Sequence, residues 1–183
     1  VDASRRSRAL NAYVNGIGST KRVVIYDTVI NDLDSDELSS LIAHELGHVK
    51  SNDIYRGLGF ALLVIPLGVL FLQLATVSLA RRRDDDLEGP AVIPALALFA
   101  TLAVLLIGVP GNALSRNIEA HADRFALDTT GDPVGMVGLQ RKLTLTNLSD
   151  PDPPAAFRFI FGTHPSTMQR IGAAEAYDEG PGK

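Results

Sequence analysis

Two long runs without a charged residue, residues 57–80 and 89–115, constrain this chain more than any other feature. Each run exceeds the roughly 20 apolar residues that a helix needs to cross a bilayer. The prolines inside them are tolerated better in membrane helices than in soluble ones. A short charged linker, residues 81–86, separates the two runs. Together they predict a transmembrane helical hairpin.

The alternative is a pair of core helices buried in a water-soluble domain. A chain of 183 residues has room for one ordinary domain. Such a domain could hardly cover two uncharged helices on all sides. We therefore predict an integral membrane protein with the lipid bilayer as a partner. The distribution of charge does not decide how the hairpin is oriented in the membrane, because basic residues lie both at the outer ends of the two runs and in the linker between them.

The composition excludes several classes of protein. A net charge of −4 and an isoelectric point near 5.5 argue against nucleic acid as a partner. Cysteine is absent, so a disulfide framework and a thiolate metal site are both impossible. Any metal ion must therefore be held by histidine and carboxylate side chains. Because the sequence begins at Val1 rather than Met, we expect further residues upstream.

Outside the two runs, the pattern predicts a mainly α fold with a small β element. Two β-branched and aromatic segments, residues 12–14 and 23–26, are separated by turn residues and indicate a β-hairpin or two neighbouring strands. Asp34 or Ser35 caps a helix that should end near Ser51. Further helices are expected at residues 116–130, at residues 136–148, and after the Thr163–Ser166 segment.

The segment His44-Glu45-Leu46-Gly47-His48 lies on the predicted 35–51 helix. Histidines four residues apart point the same way, so both can offer a ring nitrogen to one Zn²⁺. Glu45 falls on the adjoining face, where it can accept a proton from a metal-bound water. The apolar neighbours bury this helix, as such chemistry needs. We interpret the segment as one catalytic zinc site per chain.

A catalytic zinc site needs a third protein ligand, and the best source is the helix directly after the second apolar run. Glu119 and Asp123 are four residues apart and share a face of that helix. In this arrangement Glu119 binds zinc, and Asp123 accepts a hydrogen bond from the outer nitrogen of a ligand histidine. The alternative is a solvated acidic face paired with nearby arginines. His121 points away from the metal.

The chain resembles the zinc peptidase family that contains the type I CAAX prenyl proteases and the HtpX heat-shock proteases. The resemblance is closer to the CAAX branch. The matching pieces occur in the family's order: Ser4-Arg5-Arg6, Asn11-Ala12-Tyr13, residues 21–28, residues 44–48, residues 119–126, Thr163-His164-Pro165-Ser166, and Arg170-Ile171. They cover most of the chain outside the apolar runs.

The resemblance implies a zincin-like metallopeptidase core with Glu119 as the third ligand and a transmembrane hairpin inserted between the metal motifs. The catalytic part would comprise residues 1–56 and 116–183, and the hairpin residues 57–115. It also implies a catalytic face toward the cytoplasm and several upstream membrane helices.

The resemblance gives three further residues a role. In relatives, a histidine in the position of His164 helps to stabilise the oxyanion of the tetrahedral intermediate; the alternative is a histidine that caps the following helix. Arg170 would orient or support the same site. Asn11 begins the strand that lines the substrate cleft, where a peptide can add to the strand edge. The alternative is a strand that only packs Tyr13 into the core.

These observations predict a membrane-embedded zinc metalloendopeptidase that hydrolyses peptide bonds. Its substrate would be a peptide or protein, in or near the membrane or carrying a lipid. An HtpX-like quality-control protease is the alternative within the same class. From another class, the alternative is a membrane sensor that binds metal without turnover. Glu45 argues against the sensor, because a purely structural site has no use for a base.

Overall fold

The computed structural model describes residues 1–83, 89–90 and 92–178. The predicted mainly helical fold with a small β element is confirmed. The strands and α-helices in chain order are β1 (Ala12–Asn15), β2 (Arg22–Ile25), α1 (Asp27–Asp32), α2 (Ser35–Lys50), α3 (Asp53–Arg83), α4 (Val92–Thr130), α5 (Pro133–Thr146), α6 (Ala155–Phe161) and α7 (Thr167–Asp178), and a short 3-10 helix (Gly18–Thr20) joins β1 to β2.

The two strands form an antiparallel hairpin in which Ala12 faces Ile25 and Asn15 faces Arg22. Gly16 begins the turn with φ +92, a conformation that L side chains rarely adopt. A side chain there would also meet the backbone oxygen of Thr20. Within the described residues, β2 is the only strand beside β1, so the other edge of β1 has no strand partner.

Helix α2 begins at a capping box. The Asp34 side chain accepts hydrogen bonds from the backbone of Asp36 and Glu37, and Glu37 accepts one from the backbone of Asp34. These bonds satisfy amide groups that have no partner within the helix. The helix ends at Lys50, and Asn52 then takes a left-handed conformation, φ 54. Asparagine tolerates this region better than most residues, and the turn leads directly into α3.

Helices α3 and α4 contain the two apolar runs and pack against each other in antiparallel fashion. The rings of Phe71 and Phe99 meet edge to face with centroids 6.3 Å apart. Both helices are long and apolar enough to cross a membrane, and only 6% of the most apolar stretch of each is buried. The predicted charged linker is described only as far as Arg83, where α3 ends; its remainder lies outside the described residues.

Helix α4 differs from the expectation of a separate helix at 116–130. It runs without interruption from Val92 to Thr130, through Pro110. No glycine or proline follows Gly111 until Gly131, which ends the helix at φ 62, so nothing breaks the backbone at the end of the apolar run. The apolar run and the predicted Glu119 site therefore lie on one helix.

The hydrophobic core lies outside the apolar hairpin, among α1, α2, α4, α5 and α7. Its most deeply buried members include Val29, Ala126, Met136 and Leu139. Helix α2 approaches α4 closely at Gly47, where an added Cβ would lie 3.1 Å from the Cα of Ala122. Glycine at this position therefore allows the backbones of the two helices to meet.

Two short helices, α1 and α6, were not predicted. Helix α6 follows the proline-rich loop at residues 150–154 and begins after Pro154. It packs on α4: Asn112 donates from its side chain to the carbonyl of Ile160, and Arg116 donates to the carbonyls of Arg158 and Gly162.

We predict that Gly47→Val separates α2 from α4 and destabilises the fold. Its methyl groups would overlap backbone atoms of Ala122, and overpacking of this kind costs about 1–3 kcal/mol. The matched control is Gly172→Val, because a Cβ at Gly172 meets no atom within 4 Å. Thermal unfolding in detergent should show a lower midpoint for Gly47→Val alone. Equal midpoints for the two variants would contradict the close approach.

Candidate active site

The contact between α2 and α4 brings His44, His48 and Glu119 together. The Nε2 atoms of the two histidines are 3.1 Å apart. The Glu119 carboxylate oxygens lie 3.4 Å from His44 Nε2 and 3.6 Å from His48 Nε2. Glu119 and His44 are buried. The three residues suggested by the sequence therefore converge on one point.

Each histidine presents its other ring nitrogen to a buried carboxylate. Nδ1 of His48 lies 3.0 Å from Asp53 Oδ2, and Nδ1 of His44 lies 2.9 Å from Asp123 Oδ1. The second contact lacks the alignment of a hydrogen bond and is an electrostatic contact. Carboxylates in these positions favour a proton on both Nδ1 atoms. Both Nε2 atoms then direct lone pairs at the same point.

Two facing lone pairs repel each other unless a cation lies between them, so this arrangement fits a metal ion. Zinc bonds to nitrogen and oxygen ligands measure about 2.0–2.1 Å, which places neighbouring tetrahedral ligand atoms about 3.3 Å apart. The observed separations of 3.1, 3.4 and 3.6 Å bracket that value. The residues present therefore fit a metal ion held by two histidines and a carboxylate.

The charge of the site also favours a cation. Burial lowers the pKa of His44, but the carboxylates of Asp123 and Glu119 outweigh it and raise the pKa to about 9. Burial raises the pKa of the Glu45 carboxyl, against the opposing charges of His44 and His48. A carboxyl whose pKa is raised holds a proton more readily than an ordinary glutamate, which suits a group that takes up and then releases a proton.

Arg170 reaches the site through Asp123. Its Nε and one terminal nitrogen donate to the two Asp123 oxygens at 2.7 and 2.5 Å. This two-pronged pair holds the carboxylate in a fixed orientation beside His44. Arg170 also lines the cavity that contains the metal cluster.

A cavity of about 530 Å³ opens over the cluster. Glu45 and His164 line it, and so do residues of β1. His164 Nε2 lies 3.5 Å from a Glu119 oxygen, and Thr163 contacts the other ring nitrogen at 2.8 Å. The His164 side chain is 58% exposed, so this ring can meet a molecule that enters the cavity.

The remaining predicted residues divide between the cavity and the surface. Asn11 lines the cavity, and its carbonyl accepts a hydrogen bond from the backbone of Tyr26. Tyr13 also lines the cavity and is 41% exposed, which differs from the alternative of a ring packed into the core. His121 is exposed on α4 and forms no part of the cavity lining.

Asp53 is the residue that the sequence reasoning missed. It is buried, contacts His48, and receives a hydrogen bond from Arg56 at 3.1 Å. It is the first residue of α3, and the left-handed turn at Asn52 directs α3 back toward His48. The only signal in the sequence is an acidic residue soon after the second histidine, next to an asparagine that can form such a turn.

Two histidines and Glu119 could hold a metal ion, and Glu45 lies beside the first histidine on α2. Together these residues define a metallopeptidase-type centre. Comparison with known proteins agrees: the model of Peptidase family M48 matches residues 1–178, and the chain belongs to that family. The resemblance noted from the sequence is thereby confirmed.

Several curated proteins are similar to this chain. The uncharacterized metalloprotease YhfN of Bacillus subtilis is 37% identical over 99% of the chain and 44% of its own length. A CAAX prenyl protease 1 homolog of Oryza sativa subsp. japonica is 34% identical over 97% of the chain and 43% of its length. A protease HtpX homolog of Bacteroides fragilis is 29% identical over 92% of the chain and 60% of its length.

The fold is also found in a solved structure. The crystal structure of S. mikatae Ste24p superposes with a TM-score of 0.76 at 24% identity, covering 94% of this chain and 43% of that one. This likeness shows a shared fold. The chain spans less than half the length of YhfN, of the rice homolog and of Ste24p.

We predict that Asp53 supports metal binding through His48. Asp53→Ala removes the carboxylate that orients the ring, and loss of such a partner weakens metal affinity roughly 10–100-fold. Asp53→Asn keeps an oxygen acceptor and should lose less. The control is Asp128→Ala, which removes an exposed acid on α4 that pairs with Arg124. Competition with a chelator measures each affinity, and an unchanged value for Asp53→Ala would contradict this role.

Proposed function

We propose that this chain carries the catalytic centre of a membrane-embedded zinc metalloendopeptidase. The observation that carries the proposal is the convergence of His44, His48 and Glu119 beneath an open cavity that Glu45 also lines. Membership of Peptidase family M48 supports the reaction class. The proposed reaction is hydrolysis of a peptide bond.

The proposed cofactor is one Zn²⁺ per chain, held by His44, His48 and Glu119. Histidine and carboxylate ligands suit zinc, and three protein ligands leave a position open for chemistry. When bound, the metal supplies a Lewis acid that polarises the scissile carbonyl and acidifies water. Asp123 and Asp53 keep the two rings turned so that their Nε2 atoms face the ligand position.

Glu45 is the proposed general base. It follows a ligand histidine on α2, so its carboxylate faces the cavity beside the metal position. In the proposed mechanism this carboxylate takes a proton from the attacking water. It then gives that proton to the nitrogen of the leaving amine, because the pKa of the carboxyl is raised by burial.

His164 is the proposed donor to the oxyanion that forms during attack. Its ring is exposed to the cavity on the side of Glu119. A donor placed where negative charge develops lowers the barrier by stabilising that charge. Arg170 adds positive charge nearby, but its hydrogen bonds go to Asp123, so we assign it a supporting role through that carboxylate.

The free edge of β1 is the proposed platform for the substrate backbone. Residues 11–14 line the cavity, and within the described residues no strand occupies that edge. An extended peptide could pair with it through main-chain hydrogen bonds, as in other complexes that add a strand to a sheet. Asn11 would contact the peptide at one end of this edge.

We place the site next to the bilayer. In this proposal residues 57–115 form the membrane hairpin, and residues 1–56 and 116–183 form the catalytic part. The mostly uncovered apolar surfaces of α3 and α4 support insertion in lipid. The proposed catalytic face is cytoplasmic, on the grounds of family resemblance.

The proposed substrate is a peptide or protein close to the membrane. Two CAAX prenyl protease 1 homologs, from rice and Arabidopsis thaliana, are 34% and 30% identical to this chain. Prenylated peptides are therefore the first lipidated substrates to test. HtpX homologs at 28–30% identity make an unstructured membrane protein the second.

We predict one zinc ion per chain in the purified protein. His44→Ala or His48→Ala should abolish zinc binding, because each removes a ligand. His121→Ala should keep the zinc, because this exposed histidine lies outside the cluster. Elemental analysis of the purified variants measures the ratio. Full zinc in His44→Ala, or loss of zinc in His121→Ala, would contradict the ligand assignment.

We predict that Glu45→Gln retains zinc and loses nearly all peptidase activity. The change removes the base and leaves every ligand in place, and general acid–base catalysis contributes roughly 10²–10⁴-fold to a rate. The assay compares an unstructured protein with matched prenylated and unprenylated peptides, with and without chelator. The control is Glu175→Gln, an exposed glutamate on α7. Zinc loss in Glu45→Gln would make Glu45 a structural residue instead.

A further inference from the structure

Helix α6 exposes three large aromatic side chains. Phe157, Phe159 and Phe161 are 55%, 60% and 56% exposed, although the chain contains only seven phenylalanines. The rings of Phe157 and Phe161 pack side by side with centroids 5.3 Å apart. Phe159 projects from the opposite side of the helix. Exposed aromatic surface at this density marks a contact site rather than scattered surface residues.

The position of α6 identifies the partner. Its carbonyls accept hydrogen bonds from Asn112 and Arg116 of α4. Asn112 lies within the last turn of the apolar run, and Arg116 is the first charged residue after it. The helix therefore lies at the level where α4 leaves its apolar stretch, continuous with the surface that we place in lipid.

We propose that α6 is a membrane-interface helix whose phenylalanine rings insert beside α4 at the boundary between lipid headgroups and acyl chains. The proposal rests on the membrane location given under the proposed function. It goes beyond it by assigning lipid contact to a segment outside the two apolar runs. The proposed partner is the lipid surface; coverage by a protein partner would give a different quenching pattern.

The polar groups of α6 agree with this assignment. Arg158 is the only charged residue of the helix, and it turns toward Asp152 and the carbonyl of Pro153. The helix itself therefore carries no acidic side chain, and the exposed acid of the preceding loop, Asp152, is paired with Arg158. In helices that lie at a membrane surface, phenylalanine and other apolar side chains are buried about 5–10 Å into the boundary between headgroups and acyl chains.

The structure also supplies a reference position far from the membrane. Val134 is 77% exposed at the start of α5, and its neighbour Gly135 meets Asp36 in the first turn of α2. Helix α2 runs from Ser35 to Lys50 toward the apolar hairpin. The length of α2 separates its first residue from its last by about 22 Å. Residue 134 therefore lies well outside the bilayer.

Tryptophan fluorescence tests the proposal, because this chain contains no tryptophan of its own. Four single variants are compared in vesicles: Phe157→Trp, Phe159→Trp, Val69→Trp in the middle of α3, and Val134→Trp. Each is measured in phosphatidylcholine vesicles, in vesicles whose acyl chains are brominated either near the headgroup or deeper in the chain, and with acrylamide in the water. Zinc content verifies that each variant is folded.

We expect brominated lipid to quench most of the tryptophan emission of Phe157→Trp and Phe159→Trp. The emission maximum of neither variant should shift toward the red. Val69→Trp should be protected from acrylamide and quenched by bromine placed deeper in the acyl chains. Val134→Trp should respond only to acrylamide.

The pattern separates failure of this proposal from failure of the membrane location. If Val69→Trp is quenched by brominated lipid while both α6 variants respond only to acrylamide, α6 lies in water and the proposal is overturned. If the α6 variants respond to neither quencher, protein covers the helix and the proposal is again overturned. If Val69→Trp itself is insensitive to lipid, the membrane location fails first.

Discussion

The close approach of α2 and α4 is the constraint on which the rest of the structure depends. Gly47 has no side chain, so Ala122 packs directly against its backbone. The two histidines of the candidate metal site come from one helix, and Glu119 comes from the other. A wider separation of the two helices would move the Glu119 carboxylate away from the histidine rings, which it now approaches to 3.4 and 3.6 Å. The geometry of the candidate site therefore depends on this interhelical distance.

Charge balance explains why such a cluster is tolerated in a largely buried place. Four carboxylates face the site, and two guanidinium groups pair with them, which leaves two uncompensated negative charges. The carboxylates are Glu45, Asp53, Glu119 and Asp123, and the guanidinium groups are Arg56 and Arg170. A divalent cation neutralises this excess. Without it, the protein would have to protonate buried groups, as the raised pKa of His44 indicates.

Sequence reasoning recovered what short-range patterns encode and missed what depends on tertiary geometry. The spacing of His44 and His48 predicts a shared helix face, and uncharged runs predict long apolar helices. The contact between Asp53 and His48 could not be predicted, because it requires the backbone turn at Asn52. Helix α6 was missed because Pro151, Pro153 and Pro154 obscured its start. The roles of Glu45, His164 and Asn11 stay predictions.

The unbroken course of α4 from the apolar run to Glu119 has a mechanical consequence. A helix of 39 residues is a rod about 58 Å long, and its apolar end must adapt to the thickness of the surrounding bilayer, usually by tilting. A tilt at one end of a rod moves the other end, whereas His44 and His48 lie on a separate helix. Lipid composition would thus change the position of Glu119 relative to His44 and His48, and with it the geometry of the candidate metal site.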